Sequence, residues 1–133
     1  MNAAGVQETR SPNAAVLLVE DEEELRRATS KLLRRSGFVV IEAADGAAAA
    51  EVFRTRQGEI GVVMMDLGLP VLSGSDLFAA LKQLRPGLRI VVATGSSRTT
   101  VIDTLRGEQP WAVVQKPYQI GNLVDVLRAS LAP

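Results

Sequence analysis

Five short apolar runs alternate with longer helix-forming segments along this chain of 133 residues. Each run has the length of a strand rather than of a helix, and each is nearly continuous in apolar residues. Such runs are typical of strands that are buried on both faces of a parallel sheet. We therefore predict strands at 15–19, 38–43, 60–65, 89–94 and 111–115.

The segments between these runs predict helices at about 22–36, 47–54, 73–85, 98–106 and 120–132. Strands that alternate with helices indicate an α/β domain, in which helices cover both faces of a parallel sheet. We expect the buried face of the first helix to carry Leu25, Ala28, Leu32 and Leu33. For the last helix we expect Ile120, Leu123, Val124 and Leu127.

Composition narrows the function classes. The chain has no cysteine and no histidine, which excludes disulfides, thiolate or imidazole metal sites and Ser-His-Asp catalysis. Fifteen basic residues balance fifteen acidic ones, so there is no electrostatic footprint for nucleic acid. No apolar run is long enough for a membrane span, and the N-terminus lacks the core of a secretory signal, so we expect a cytoplasmic protein. We predict a flexible tail at 1–13 and one domain at 14–133.

Polar side chains lie at the ends of four of the five predicted strands. Glu20 and Asp21 follow the first, Asp66 the third and Lys116 the fifth, and Thr94 ends the fourth. In open α/β sheets, ligands bind outside the carboxyl ends of the strands, where the strand order reverses. Each residue alone has an ordinary explanation as a helix cap, a loop residue or a turn. Their coincidence at one edge of the sheet favours a functional site.

Three carboxylates at one edge repel one another unless a cation joins them, and carboxylate oxygens suit Mg²⁺. We expect Asp21 and Asp66 to bind the ion directly and Glu20 to act through water. Aspartate is also a nucleophile at phosphorus. Lys116 is a point charge suited to a phosphoryl group, and Thr94 supplies a hydroxyl donor. The set predicts Mg²⁺-dependent phosphoryl transfer.

Residues 15–132 resemble the receiver domain of bacterial two-component response regulators, the CheY-like family. The motif order is an acidic pair, Asp, Thr and Lys-Pro, with intervals of 45, 28 and 22 residues from Asp21 through Asp66 and Thr94 to Lys116. The resemblance implies a flavodoxin-like (βα)5 three-layer sandwich with strand order 2-1-3-4-5. It also implies that Asp66 is the phosphoacceptor.

The same resemblance implies the remaining roles. Asp21 and Asp66, with the backbone carbonyl of Gly68, would bind Mg²⁺, and Glu20 completes the acidic pair. Thr94 matches the switch hydroxyl.

Lys116 matches the family lysine, and the Lys116–Pro117 bond is expected to be cis. Pro70 and Gly74 match the family's loop after the acceptor. Val113 departs from the pattern, because Tyr or Phe is usual there and reports the hydroxyl switch. Gly68 and Ser96 occupy the positions that tune phosphoryl lifetime, and the missing side chain at Gly68 predicts a short-lived phosphoryl group.

The resemblance implies a receiver in a phosphorelay, phosphorylated by a histidine kinase or a histidine phosphotransfer protein. The output would pass through the face built from the fourth helix, fifth strand and fifth helix, near Trp111. No independent substrate turnover, nucleic-acid contact or membrane contact is expected. A stand-alone receiver, the receiver of a hybrid histidine kinase and a homodimer all stay open.

Three other functions compete with this one. A phosphatase using an aspartyl-phosphate commonly has a second acid two residues after the nucleophile, where this chain has Gly68. A flavodoxin-like protein that binds a nucleotide or flavin needs a Gly-rich or hydroxyl-rich loop after the first strand. This chain has the acidic run EDEEE there, which would repel phosphates unless a metal is present. The alternative that stays open is a phosphorylation-independent receiver that acts as a protein-binding module.

Overall fold

A computed structural model of the protein describes residues 14–133, so the tail predicted at 1–13 lies outside the described residues. Five strands alternate with five α-helices in this part of the chain. The strands are β1 (Ala15–Val19), β2 (Val40–Ala43), β3 (Ile60–Met65), β4 (Arg89–Thr94) and β5 (Ala112–Gln115). The helices are α1 (Glu23–Arg35), α2 (Gly46–Arg56), α3 (Gly74–Leu84), α4 (Arg98–Thr104) and α5 (Ile120–Leu131), and a short 3₁₀ turn (Gln57–Glu59) follows α2.

The strands form one parallel sheet in the order β2-β1-β3-β4-β5. This confirms the flavodoxin-like fold and the order 2-1-3-4-5. Consecutive strands β1 and β2 are neighbours, but the chain then crosses to the other side of β1, where β3 lies. The strand order therefore reverses between β1 and β3, and ligands of open α/β sheets bind at such a reversal.

Two hydrophobic layers enclose the sheet, because successive side chains of a strand point to opposite faces. Leu17 and Val19 of β1 pack with the buried residues of α2, α3 and α4. Val16 and Leu18 pack on the other side with the buried residues of α1 and α5. The continuous apolar strands thus lie between two helical layers, which is the predicted three-layer sandwich.

The buried face of α1 differs from the prediction. Leu33 is buried, but Ala28 and Leu32 are exposed, and Thr29 and Ser30 lie inside instead. For Thr29, burial goes with a polar contact that hydrophobic periodicity does not anticipate, since its hydroxyl lies 2.7 Å from the Tyr118 hydroxyl. On α5 the prediction holds for Leu123, Val124 and Leu127, which are buried, while Ile120 is half-buried.

The bounds of two elements also differ from the prediction. The second strand begins at Val40 rather than at residue 38, because its pairing with β1 begins at Val16 opposite Val40. Helix α2 is longer than predicted at both ends. It begins at Gly46, because the Asp45 side chain accepts a hydrogen bond from the Ala48 amide at 2.7 Å and caps the helix. The other bounds agree to within two residues.

Candidate functional site

Three of the predicted site residues meet in one ion-pair cluster at the carboxyl edge of the sheet. Glu20 follows β1, Asp66 follows β3 and Lys116 follows β5. The Lys116 Nζ atom donates to Glu20 Oε1 and to Asp66 Oδ2, and both distances are 2.8 Å. Residues that are 96 and 50 positions apart from Lys116 in sequence are thereby brought together at the reversal in strand order.

Electrostatics favours the charged form of Lys116. Burial alone would disfavour the ammonium, but hydrogen bonds and charge attraction from Asp66 and Glu20 outweigh burial and raise the pKa of Lys116 well above its usual value. Lys116 therefore remains a cation throughout the neutral range. It neutralises part of the negative charge that two converging carboxylates create.

Glu20 is held more tightly than a surface acid. It is only 5% exposed, and its Oε2 atom accepts a hydrogen bond from the Glu22 amide at 3.1 Å. The backbone carbonyl of Glu20 accepts a hydrogen bond from Arg26 Nη1 at 3.0 Å. Asp21, the next residue, is exposed. The two members of the acidic pair therefore have different environments, one clamped and one open to solvent.

The loop after Asp66 is shaped by close backbone packing. The Gly68 amide donates to Asp66 Oδ1 at 3.1 Å. Gly74 lies so near this loop that a Cβ atom there would be 2.3 Å from the Leu67 Cα atom. Gly74 also donates its amide hydrogen to the Leu67 carbonyl at 3.1 Å. The start of α3 thus fixes the segment that carries Asp66.

A tight turn follows in the same loop. The Leu72 amide donates to the Pro70 carbonyl at 2.8 Å, and Val71 between them has a φ of 71°. A β-branched residue in this left-handed region is strained. Gly46 packs against the same turn, since a Cβ atom there would be 2.3 Å from the Leu72 carbonyl oxygen. The loop is therefore held by glycines of two helices.

Thr94 is buried, at 6% exposure, and ends β4 beside the cluster. Its Oγ1 atom accepts a hydrogen bond from the Ser96 amide at 3.2 Å, and its carbonyl accepts one from the Lys116 amide at 2.8 Å. The Gln115 side chain donates to the Ser96 carbonyl at 2.6 Å. The hydroxyl hydrogen of Thr94 is not consumed by the Ser96 contact, so the hydroxyl keeps its capacity to donate.

The donor set fits Mg²⁺. In residues 14–133, no group of three or more acidic side chains is arranged to hold a metal ion. Mg²⁺ nevertheless needs only one or two protein carboxylates and retains several waters. The exposed Asp21 and the partly exposed Asp66 supply such carboxylates. The Gly68 position adjoins Asp66 without crowding it, because a Cβ atom there would approach no closer than 4.0 Å.

Sequence reasoning missed two neighbours of the cluster. Tyr118 directly follows the Lys116–Pro117 bond, which is cis as the resemblance implied. Burial raises the pKa of Tyr118, while its hydrogen bond with Thr29 lowers it in part. Arg26 was also missed, because an arginine in the charged first half of a helix is normally expected to be exposed to solvent. The adjacency of Tyr118 to Lys116 was the one available signal.

Comparison with known proteins places the chain in a family. A family model described as the response regulator receiver domain matches residues 16–128. The chain belongs to this family. Among curated proteins, the sensory transduction protein RegX3 of Mycobacterium tuberculosis is 38% identical over 119 residues, which are 88% of this chain and 50% of RegX3. The sensor kinase CckA of Brucella abortus is 28% identical over 121 residues, or 91% of this chain and 13% of CckA.

Solved structures show the same fold. A response regulator receiver domain from Clostridium thermocellum aligns with a TM-score of 0.82 at 23% identity, covering 89% of this chain and 94% of that one. The chemotaxis protein CheY4 of Vibrio cholerae aligns with a TM-score of 0.80 at 23% identity, covering 89% and 98%. The chain spans half or less of the length of the curated relatives named above.

The protein is thus a receiver domain of two-component systems, related both to response regulators and to the receiver domains of sensor kinases. Receiver domains interact with histidine kinases or phosphotransfer proteins, typically use Mg²⁺, and generally accept a phosphoryl group without turning over an independent substrate. Among the described residues, no helix has the length and apolar character needed to cross a bilayer.

Proposed function

We propose that Asp66 is the phosphoacceptor of this receiver, and that a histidine kinase or a histidine phosphotransfer protein is the donor. The observation that carries the proposal is the Lys116 ammonium, which lies 2.8 Å from both Asp66 and Glu20 at the strand-order reversal. A rigid strand end, a fixed cation and an acceptor carboxylate are the elements that phosphoryl transfer requires. The alternative is a phosphorylation-independent binding module.

In the transfer step, a carboxylate oxygen of Asp66 attacks the phosphorus atom of a phosphohistidine. An O–P bond forms, the P–N bond breaks, and the imidazole nitrogen keeps the electron pair of the broken bond. Asp66 is suited to this attack because β3 holds it in place and the Gly68 amide orients its Oδ1 atom. Hydrolysis later returns Asp66 to its carboxylate when water attacks the phosphorus atom and the phosphoryl group leaves as inorganic phosphate.

Lys116 and Thr94 act on the charge that the phosphoryl group brings. Lys116 already contacts the acceptor, so it is placed to pair with a phosphoryl oxygen. Thr94 borders the same edge of the sheet and would donate its hydroxyl hydrogen to a second phosphoryl oxygen. Drawing Thr94 inward displaces the Ser96 segment that is bonded to it, and that segment leads into α4. The face formed by α4, β5 and α5 thereby changes shape.

Mg²⁺ would be held by Asp21, Asp66 and the Gly68 carbonyl, with Glu20 acting through water. An ion bound there would act as a Lewis acid and would offset the negative charge that the phosphoryl group brings to Asp66. Glu20 is buried and hydrogen-bonded to Lys116, which supports a second-layer role for it rather than direct ligation. Asp21 is open to solvent and better placed to meet a hydrated ion.

Intact mass after incubation with acetyl phosphate tests this proposal. We expect one phosphoryl adduct in the wild type that requires Mg²⁺ and is missing in Asp66→Asn. Rapid quenching is needed, because the open space at Gly68 predicts easy access of water to the phosphoryl group. An adduct that persists in Asp66→Asn would overturn the assignment of the acceptor. No adduct in the wild type at short times would favour the binding module.

A further inference from the structure

Arg26 links the acidic pair to a strand on the far side of β1. Its side chain is only 15% exposed, which is low for an arginine. The Nη1 atom donates to the Glu20 backbone carbonyl at 3.0 Å, and the Nε atom donates to Glu42 Oε1 at 3.3 Å. A guanidinium can make both contacts at once because its donors are arranged in a rigid, planar fork. Arg26 therefore connects α1, β2 and the end of β1.

Glu42 is the anchor of this link. It lies within the edge strand β2, and its carboxylate also accepts a hydrogen bond from Arg34 Nη1 at 3.3 Å. Arg34 in turn donates from Nη2 to the Val40 carbonyl at 2.9 Å. The two arginines have similar partners, one Glu42 oxygen and one backbone carbonyl each. They differ in exposure, at 15% for Arg26 and 52% for Arg34, and only Arg26 contacts Glu20.

The contact with Glu20 falls on the peptide group that leads into Asp21. The Glu20 amide donates to the Ala43 carbonyl at 3.1 Å, and the Glu20 side chain is held by Lys116 and by the Glu22 amide. These contacts fix the residue on its amino side and its side chain. The Arg26 hydrogen bond fixes the remaining group, the carbonyl. Without it, the peptide plane from which Asp21 departs has one less restraint.

We propose that Arg26 is a positioning residue for Mg²⁺ binding. Its guanidinium, held by Glu42, sets the orientation of the Glu20–Asp21 peptide group and so directs the Asp21 carboxylate toward Asp66. The inference rests on the proposed function, since it assumes that the acidic pair serves an ion. Removal of a group that orients metal ligands typically costs roughly tenfold or more in metal affinity.

A positioning role and a simple charge effect predict opposite changes in the Mg²⁺ affinity of an Arg26 variant. Removing a nearby cation lowers the repulsion that Mg²⁺ experiences, so Coulomb attraction alone would strengthen binding in an Arg26 variant. Positioning predicts weaker binding. Arg34→Ala removes the same charge and breaks a matching pair of contacts, but it leaves Glu20 untouched. It is therefore the matched control.

The experiment is a Mg²⁺ titration of the ¹⁵N-labelled protein without a phosphodonor, followed through the backbone amide shifts near Asp21 and Asp66. We expect the dissociation constant to rise roughly tenfold in Arg26→Ala and to stay within about twofold of the wild type in Arg34→Ala. Arg26→Lys keeps the charge but cannot fork to both acceptors, so we expect only partial rescue. Urea unfolding of each variant separates lost stability from lost affinity.

The outcomes distinguish failure of the Arg26 positioning role from failure of the proposed phosphoacceptor function. If the wild type binds Mg²⁺ and Arg26→Ala binds it equally well or more tightly, the positioning role is wrong. If Arg26→Ala does not fold, Arg26→Lys and Glu42→Gln decide, since the inference predicts weaker binding in both folded variants, and unchanged binding in both would overturn it. If the wild type shows no Mg²⁺-dependent shifts, the proposed function fails and takes this inference with it.

Discussion

Gly74 is the position at which a single methyl group would most directly disturb the acceptor loop. It is the first residue of α3, and a Cβ atom there would lie 2.3 Å from Leu67 Cα and 2.7 Å from the carbonyl oxygens of Asp66 and Leu67. All three neighbours are backbone atoms, which cannot rotate away as a side chain can. Gly74→Ala must therefore push the acceptor loop and α3 apart.

The magnitude follows from these distances. Carbon atoms reach optimal contact at about 3.5–4.0 Å, so the loop or the helix has to move by roughly 1 Å or more. Overpacking of this kind typically costs about 1–3 kcal/mol, and the helix propensity of alanine recovers at most about 1 kcal/mol of it. We expect a net loss in the free energy of unfolding of about 1–2 kcal/mol. Because Leu67 adjoins Asp66, a displacement near 1 Å can also slow phosphorylation by about a hundredfold.

Urea unfolding measures the first effect, and the initial rate of phosphorylation by acetyl phosphate in the folded protein measures the second. Gly121→Ala is the matched control, because Gly121 also lies in the first turn of a helix but a Cβ atom there meets nothing within 4 Å. We expect that variant to be as stable as the wild type or more stable by up to about 1 kcal/mol. Equal stability and equal rates in the two variants would refute the reasoning.

Four other substitutions test further features. Lys116→Met should slow phosphorylation. The stability that Lys116 contributes should be full below its usual pKa of 10.5 and lost only as the pH rises through its raised folded pKa. The difference in free energy of unfolding between wild type and variant should therefore be constant from pH 6 to 9 in urea unfolding, and a change over that range would contradict this. Tyr118 is the only tyrosine, so an ultraviolet titration reports its phenol alone. We expect a titration midpoint above 10.0, and a still higher midpoint in Thr29→Val, because the Thr29 hydrogen bond lowers the pKa of Tyr118. A normal midpoint in the wild type would show that the phenol is not buried. Val71→Gly should raise the free energy of unfolding by about 1 kcal/mol by relieving the left-handed backbone, and a loss of stability in urea would count against strain there. Gly68→Met should lengthen the lifetime of the phosphoryl group, measured by mass spectrometry after removal of the donor, and an unchanged lifetime would mean that water access at Gly68 is not limiting.

The fold was largely predictable because the strand pattern and the helix pattern are both visible in the sequence. Largely apolar strands of four to six residues alternate with helical segments, and both signals are local in the sequence. The errors arose where a distant contact decides the outcome. Thr29 is buried because Tyr118 reaches it from 89 positions away, and the second strand starts at Val40 because its partner pairs only from there. Neither contact leaves a trace in local hydrophobicity.

That Glu20, Asp66 and Lys116 meet at one edge of the sheet was predictable, but their individual contacts were not. Acidic, hydroxyl and ammonium groups at strand ends are visible in sequence, and parallel topology places them at one edge. The sequence did not indicate that Lys116 would bridge Glu20 and Asp66, or that Arg26 would hold the Glu20 carbonyl. Such hydrogen bonds depend on side-chain directions that are fixed only once the sheet has formed.

The acceptor can be located chemically. Borohydride reduces an aspartyl-phosphate to the corresponding alcohol, so a phosphorylated aspartate is marked as homoserine in the peptide that contains it. After phosphorylation in Mg²⁺, reduction and proteolysis, we predict homoserine at position 66 and at no other aspartate. Homoserine at Asp21, or at any residue other than Asp66, would contradict the assignment of the strand-end carboxylate as the phosphoacceptor.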